Sequence, residues 1–142
     1  MDRYVEYTKF LKGLKLRHFR PNEITSYAHR AVGGISNSLP PEIIWNNIVQ
    51  TLWIADQLRE SLKVPITLTS IYRSPEYNRA VGGARASFHM ENKAIDLQSS
   101  QASPQKIFNR LVKFRDAGVF RGGLGKYNTF VHIDTRGRNA TW

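Results

Sequence analysis

The sequence predicts an α+β fold, with a small antiparallel sheet flanked by several helices, and three observations carry that expectation. Short runs rich in β-branched residues alternate with segments whose apolar residues recur every three or four positions. Proline and glycine punctuate the joins between these segments. With 142 residues, 41% of them hydrophobic and spread along the chain, there is material for one core and little for a second.

Taken in order, Tyr4, Tyr7, Leu11 and Leu14 fall at helical spacing with lysines opposite, which predicts a short amphipathic helix over 4–16. Its apolar face is too narrow to favour a membrane surface. HFRPNEI reads as a turn into a short helical or irregular segment, and VGGISNSLPP (32–41) as a loop. Pro41 opens the strongest helix, with Ile44, Ile48, Leu52, Ala55, Leu58 and Leu62 on one face up to about Lys63.

VPITLTS (64–70) is a strand with Ile66, Leu68 and Ser70 sharing a face. Ser74 then caps a helix with Pro75 at its first position, ending at Gly82-Gly83. AIDLQ (94–98) is a second strand. Ser103-Pro104 starts a helix carrying Ile107, Phe108, Leu111 and Val112 to near Gly118. RGGLGKY (121–127) is turn-rich, and TFVHIDT (129–135) alternates as a third strand.

Composition narrows the chemistry. There is no cysteine, which removes disulfides, thiolate nucleophiles and cysteine zinc clusters, so a metal here must be held by His, Asp or Glu. The formal charge of +10 fits an anionic partner, whether nucleic acid, membrane surface or acidic wall polymer, and equally a basic surface that serves solubility. No nucleic-acid motif accompanies the charge. The N-terminal stretch has no unbroken apolar run, so no signal peptide is read, and no window reaches membrane-spanning length.

The four histidines are His18, His29, His89 and His132. A catalytic zinc needs three protein ligands and one open position. If the second and third strands are neighbours, His89, Asp96 and His132 converge on one ion. A histidine–aspartate gap alone arises by chance and equally describes packed, hydrogen-bonded residues. His18 and His29 have no spacing partner and read as structural or solvent-facing. Gly122, Gly123 and Gly125 lack the Lys-Ser/Thr and helix of a phosphate loop.

LTSIYRSPEYNRAVGGARASFHMENKAIDL followed by GGLGKYNTFVHIDTRG resembles the zinc D-alanyl-D-alanine carboxypeptidase family, which includes murein endopeptidases, phage L-alanyl-D-glutamate endolysins and D-alanyl-D-alanine dipeptidases. The family signature, Ser-x-His-(x)6-Asp and a later strand His, falls on Ser87, His89, Asp96 and His132. The resemblance implies a hedgehog/DD-peptidase-like fold and a single zinc peptidase domain over 1–142, with 1–40 packed on a catalytic core of 41–142. It implies one zinc per chain held by His89, Asp96 and His132, and hydrolysis of a peptidoglycan stem or cross-link peptide bond by zinc-activated water. It also brings in Arg73, which would bind a substrate carboxylate or steady the oxyanion, and Ser87, which would contact the substrate or the ligand loop.

Two departures stand out. Asn92 replaces a common glycine, and Asn tolerates the left-handed backbone. The usual general base, three residues before the last His, is Thr129, and the alternative histidine two before it is Phe130. Asp134 shares a strand face with His132 and is either the base or that ligand's orienting partner; Glu91 is the reserve base or a solvated acid. Tyr72 and Tyr127 are cleft walls or core-edge caps. Arg73, Arg79, Arg85 and Arg136 are the cations available for a terminal carboxylate.

The expected enzyme is a monomeric peptidoglycan carboxypeptidase or endopeptidase, such as a phage endolysin, made in the cytoplasm and acting on the wall after release. The alternative is a wall-binding zinc module of the same fold without hydrolysis.

Overall fold

The computed structural model describes residues 2–142. Helix α1 (Arg3–Gly13) is capped by Asp2, whose side chain accepts from Tyr4 N at 2.9 Å. It buries Tyr7 and Leu11. After α2 (Pro21–Thr25) and a 3-10 turn, strands β1 (Ala31–Val32) and β2 (Ile35–Ser36) form an antiparallel pair. Residues 32–41, read as loop, therefore contain a hairpin. Gly33 and Gly34 make its turn at φ of +56° and +79°, the left-handed conformation that tight hairpins require and that glycine adopts without strain.

The long helix also differs from the expectation. Glu42–Ile48 is a 3-10 helix, with Pro41 outside it as its cap, and the α-helix α3 runs Val49–Leu62. The tighter first half turns Trp45 inward, where Nε1 donates to Pro40 O at 2.9 Å. Helix α4 (Pro75–Ala80) starts as expected, with Ser74 Oγ accepting from Tyr77 N at 3.2 Å. Helix α5 (Pro104–Asp116) is likewise capped by Ser103, which accepts from Lys106 N at 3.1 Å.

Strands β3 (Thr67–Ser70), β4 (Ala94–Gln98), β5 (Gly123–Lys126), β6 (Val131–Asp134) and β7 (Ala140–Thr141) form one sheet in the order β3-β4-β6-β5-β7. All neighbours are antiparallel except β5 and β7. The predicted strands are thus adjacent, while β5 and β7 are additions: the turn-rich reading of 121–127 missed the strand within it.

The register separates two faces. Ile95 pairs Ile133, Leu97 pairs Val131 and Leu124 pairs Ile133, and all five side chains are fully buried in the core with Leu52, Leu58, Ile107 and Leu111 from α3 and α5. Burying a side chain of this size stabilises the fold by about 1.5–3 kcal/mol each. The alternate positions, Asp96 paired with His132 and Ala94 paired with Asp134, point to the opposite face. The same alternation that fills the core therefore delivers two candidate ligands side by side.

The N-terminal segment shares this core through Tyr7, Leu11, Phe19, Ile24 and Tyr27. Polar anchors hold it as well. Asp56 on α3 accepts from Arg17 N and His18 N, both at 2.9 Å. Buried Asn37 donates to Tyr27 O and Tyr72 O and accepts from Ser74 N at 2.9 Å, tying the hairpin to the loop that carries Arg73.

Candidate metal centre

His89, Asp96 and His132 are all buried, and each offers a ligand atom within 4.8 Å of the others. Asp96 Oδ1 lies 3.2 Å from His89 Nε2 and 3.2 Å from His132 Nδ1. Each ring has its other nitrogen engaged behind it. His89 Nδ1 donates to Ile71 O at 2.6 Å, and His132 Nε2 donates to Asp134 Oδ2 at 2.7 Å. Those bonds fix the tautomers so that the inward nitrogen of each imidazole carries the lone pair, as a metal ligand must. Two neutral imidazoles and one carboxylate are a donor set that fits zinc.

The local backbone explains how the loop delivers His89. Tight turns run from Ser87 to Lys93, and Arg73 N donates to His89 O at 3.1 Å, pinning the loop to the end of β3. Asn92 closes the loop at φ +58°, the left-handed conformation expected for this substitute of glycine. Its side chain donates to Ile44 O at 3.0 Å. Ser87 Oγ accepts from His89 N at 3.2 Å, so the serine steadies the ligand loop while lining the cleft.

Asp134 has no free edge. Oδ1 accepts from Gly123 N at 2.9 Å, Arg136 N at 3.1 Å and Arg136 Nε at 2.9 Å, and Oδ2 accepts from His132 and from Arg136 Nη2 at 2.7 Å. It stands behind the His132 ring, on the edge opposite Asp96. Of the two roles open to it, proton acceptor in the cleft or orienting partner, this geometry supports the second.

Burial disfavours the charged form of both acids, yet their partners outweigh it. The adjoining His132 and His89 rings hold Asp96 well below the ordinary carboxylate range, and hydrogen bonds from His132, Arg136 and Gly123 N do the same for Asp134. Burial opposes a charge on His132, but Asp134 and Asp96 raise its pKa.

The three residues sit in an open cleft of about 420 Å³, which Arg73, Ser87, Tyr127, Phe130, Arg136 and Trp142 also line. Arg73 Nη2 approaches Asp96 Oδ2 at 3.5 Å while Nε and Nη1 are held by Ser70 Oγ and Asn78 Oδ1, both at 3.2 Å. Arg136 is committed to Asp134 and packed over the rings of Phe88 at 4.4 Å and Trp142 at 5.1 Å. Arg79 and Arg85 are outside the cleft lining, which leaves Arg73 as the cation suited to a substrate. Tyr127 lines the cleft, whereas buried Tyr72 does not. His18 pairs with Glu60 and His29 packs on Tyr4, both apart from the site.

Neither base candidate, Asp134 or Glu91, lines the cleft. Asp134 is saturated behind His132, Glu91 is exposed beside Lys93, and Asp96 is the one carboxylate in the lining.

The sequence reading missed Arg136 as the clamp on Asp134; Arg136 lies two residues past the end of β6 and folds back onto Asp134. Trp142 gave no sequence signal. Its ring stands 5.1 Å from His132, and Nε1 donates to Tyr127 OH at 2.8 Å. The glycines of β5 are explained by the same face. A Cβ on Gly123 would meet Asp134 Oδ2 at 2.6 Å, and one on Gly125 would meet Trp142 Nε1 at 2.5 Å.

Two interior strands and the pinned loop thus bring together, at an open cleft, three buried side chains that could hold a metal ion. The family model for Peptidase M15 matches residues 17–134, and the chain belongs to that family, the zinc D-alanyl-D-alanine carboxypeptidase-like peptidases. No curated protein matches the chain.

Proposed function

We propose that the protein is a zinc peptidase that hydrolyses a peptide bond in the stem or cross-link peptides of bacterial peptidoglycan. The observation that carries this reading is the convergence of His89 Nε2, Asp96 and His132 Nδ1 on the floor of an open cleft, in a chain of the M15 family.

His89, Asp96 and His132 would hold the ion. Bound there, zinc supplies Lewis-acid polarisation and a lowered pKa for a water ligand. The chain's own groups do the rest. Ile71 O and Asp134 aim both imidazoles inward, and Arg136 with Gly123 N keeps Asp134 ionised and still. Arg73 presents its guanidinium beside Asp96, where it can receive a substrate carboxylate or the carbonyl oxygen as charge develops. Ser87 and Tyr127 offer hydroxyls to the peptide. Tyr127 accepts from Trp142, which leaves its own proton free to donate.

D,D-carboxypeptidase and endopeptidase action, the latter as in an endolysin, both fit this cleft. Incubation with purified peptidoglycan and mass spectrometry of the released fragments tests the reading and assigns the bond. New amine termini from zinc-loaded protein, absent after chelation, are expected.

One observation favours a second reading, a zinc-containing wall-binding module of the same fold. The cleft holds no carboxylate besides Asp96, and Asp134 is saturated. Binding to peptidoglycan without new termini would establish that reading.

A further inference from the structure

Away from the cleft, Lys106, Arg110 and Lys113 follow one another at i, i+4 and i+7 on α5 and line a shallow recess of about 290 Å³ with Ser103, Gln105 and Asn109. At a rise of about 1.5 Å per residue the three cations make a row roughly 10 Å long. Lys126 on β5 joins it, with Nζ donating to Gln105 Oε1 at 2.8 Å. Arg110 also reaches the Ser61 hydroxyl. No carboxylate lines the recess, and among the described residues none of the four cations is in an ion pair.

The start of the row works against the helix that carries it, although Lys113 in the last turn suits the macrodipole. Like charges one turn apart destabilise a helix. Lys106 stands in the first turn, where the macrodipole favours acids and α5 has none. Like charges repeated along one helix face, and left without an ion pair among the described residues, point to compensation from outside.

The lining narrows the partner. It contains no aromatic side chain on which bases would stack and no apolar side chain to enter a lipid surface. Evenly stepped single cations suit a flexible backbone with one negative charge per repeat, and an arginine fork suits phosphate oxygens. The row also begins beside the cleft, because Lys126 is followed directly by Tyr127, which lines it.

We propose that Lys106, Arg110, Lys113 and Lys126 form a binding surface for a phosphodiester-linked anionic polymer of the bacterial wall, holding the protein with its cleft against the adjoining peptides. The choice of a wall polymer rests on the peptidase reading above, whereas the binding itself requires no cleavage.

The test is co-sedimentation over a salt series with purified walls that carry such a polymer, and with the same walls after its chemical removal. The triple variant K106Q/R110Q/K113Q keeps good helix formers, and circular dichroism checks its fold. At low salt the variant is expected to bind intact walls about tenfold more weakly than the parent, with a log–log salt slope shallower by about two to three. Both should bind stripped walls equally and weakly, and cleavage of a short soluble wall peptide should be unchanged. Equal binding of parent and variant to intact walls would overturn the proposal. So would a parent that binds intact and stripped walls alike, or one that prefers duplex DNA to the intact walls. Failure of the peptidase reading would show only in the soluble-peptide assay, so the two outcomes stay separable.

Discussion

His132 Nε2 and Asp134 Oδ2 lie 2.7 Å apart, on the ring edge facing away from Asp96. Two residues of one strand, on one face, thereby set the direction in which an imidazole lone pair points. Asp134→Asn keeps the shape and removes the charge that holds this tautomer. Zinc affinity is expected to fall about 10- to 100-fold, the usual cost of losing such a partner. Titration against a chromophoric chelator measures it, and an unchanged affinity would contradict the orienting role.

Acid should release the ion. Burial opposes a charged His132, but Asp134 and Asp96 outweigh it and raise its pKa. A raised histidine stabilises the ion-free fold below its unfolded pKa, and that contribution is lost as pH rises through the folded pKa. Zinc needs the neutral ring and must displace the proton, so affinity should climb with pH through neutrality. Calorimetry in two buffers of different ionisation enthalpy should detect proton release on binding. Binding without proton release near neutral pH would contradict this.

Gly122, just before β5, and Gly125 within it should differ in tolerance. A Cβ on Gly122 meets the Asp134 backbone oxygen at 1.8 Å, whereas on Gly125 it meets the side chain of half-exposed Trp142 at 2.5 Å. Gly122→Ala should therefore cost about 3 kcal/mol or more, and Gly125→Ala about 1 kcal/mol as the indole swings away, on the scale of overpacking. Urea unfolding of both variants gives the order, and equal losses would be inconsistent with these contacts.

Arg73→Lys keeps the charge and loses the fork held by Ser70 and Asn78. Turnover of a wall peptide should fall about tenfold or more while zinc content stays at the parent's level. Steady-state kinetics beside elemental analysis checks both. Full turnover would remove Arg73 from the proposed mechanism.

Much of the site was legible because its residues sit where local rules are strong. AIDLQ alternates cleanly and is the observed β4, and Ser74-Pro75 and Ser103-Pro104 start helices by side-chain capping. The left-handed Asn92 was expected from the glycine that the resembled family often carries there and from the tolerance of Asn for that backbone. The glycine-rich strand β5 was not legible. Its glycines are selected by Asp134, Arg136 and Trp142 across the sheet, contacts that leave no mark on local propensity. The hairpin at Gly33-Gly34 carried a turn signal, but its strands are two residues each and exposed, too short to show alternation. The 3-10 start before α3 keeps helical spacing of apolar residues, so the sequence pattern does not distinguish it from an α-helix.

The most direct measurement is zinc per chain, by elemental analysis after dialysis, in the parent and in His89→Ala, Asp96→Ala and His132→Ala, each checked for fold by circular dichroism. One zinc in the parent, and almost none in each folded variant, is the predicted result. Equal zinc in the parent and the folded variants would contradict the assignment of these three side chains as the metal ligands.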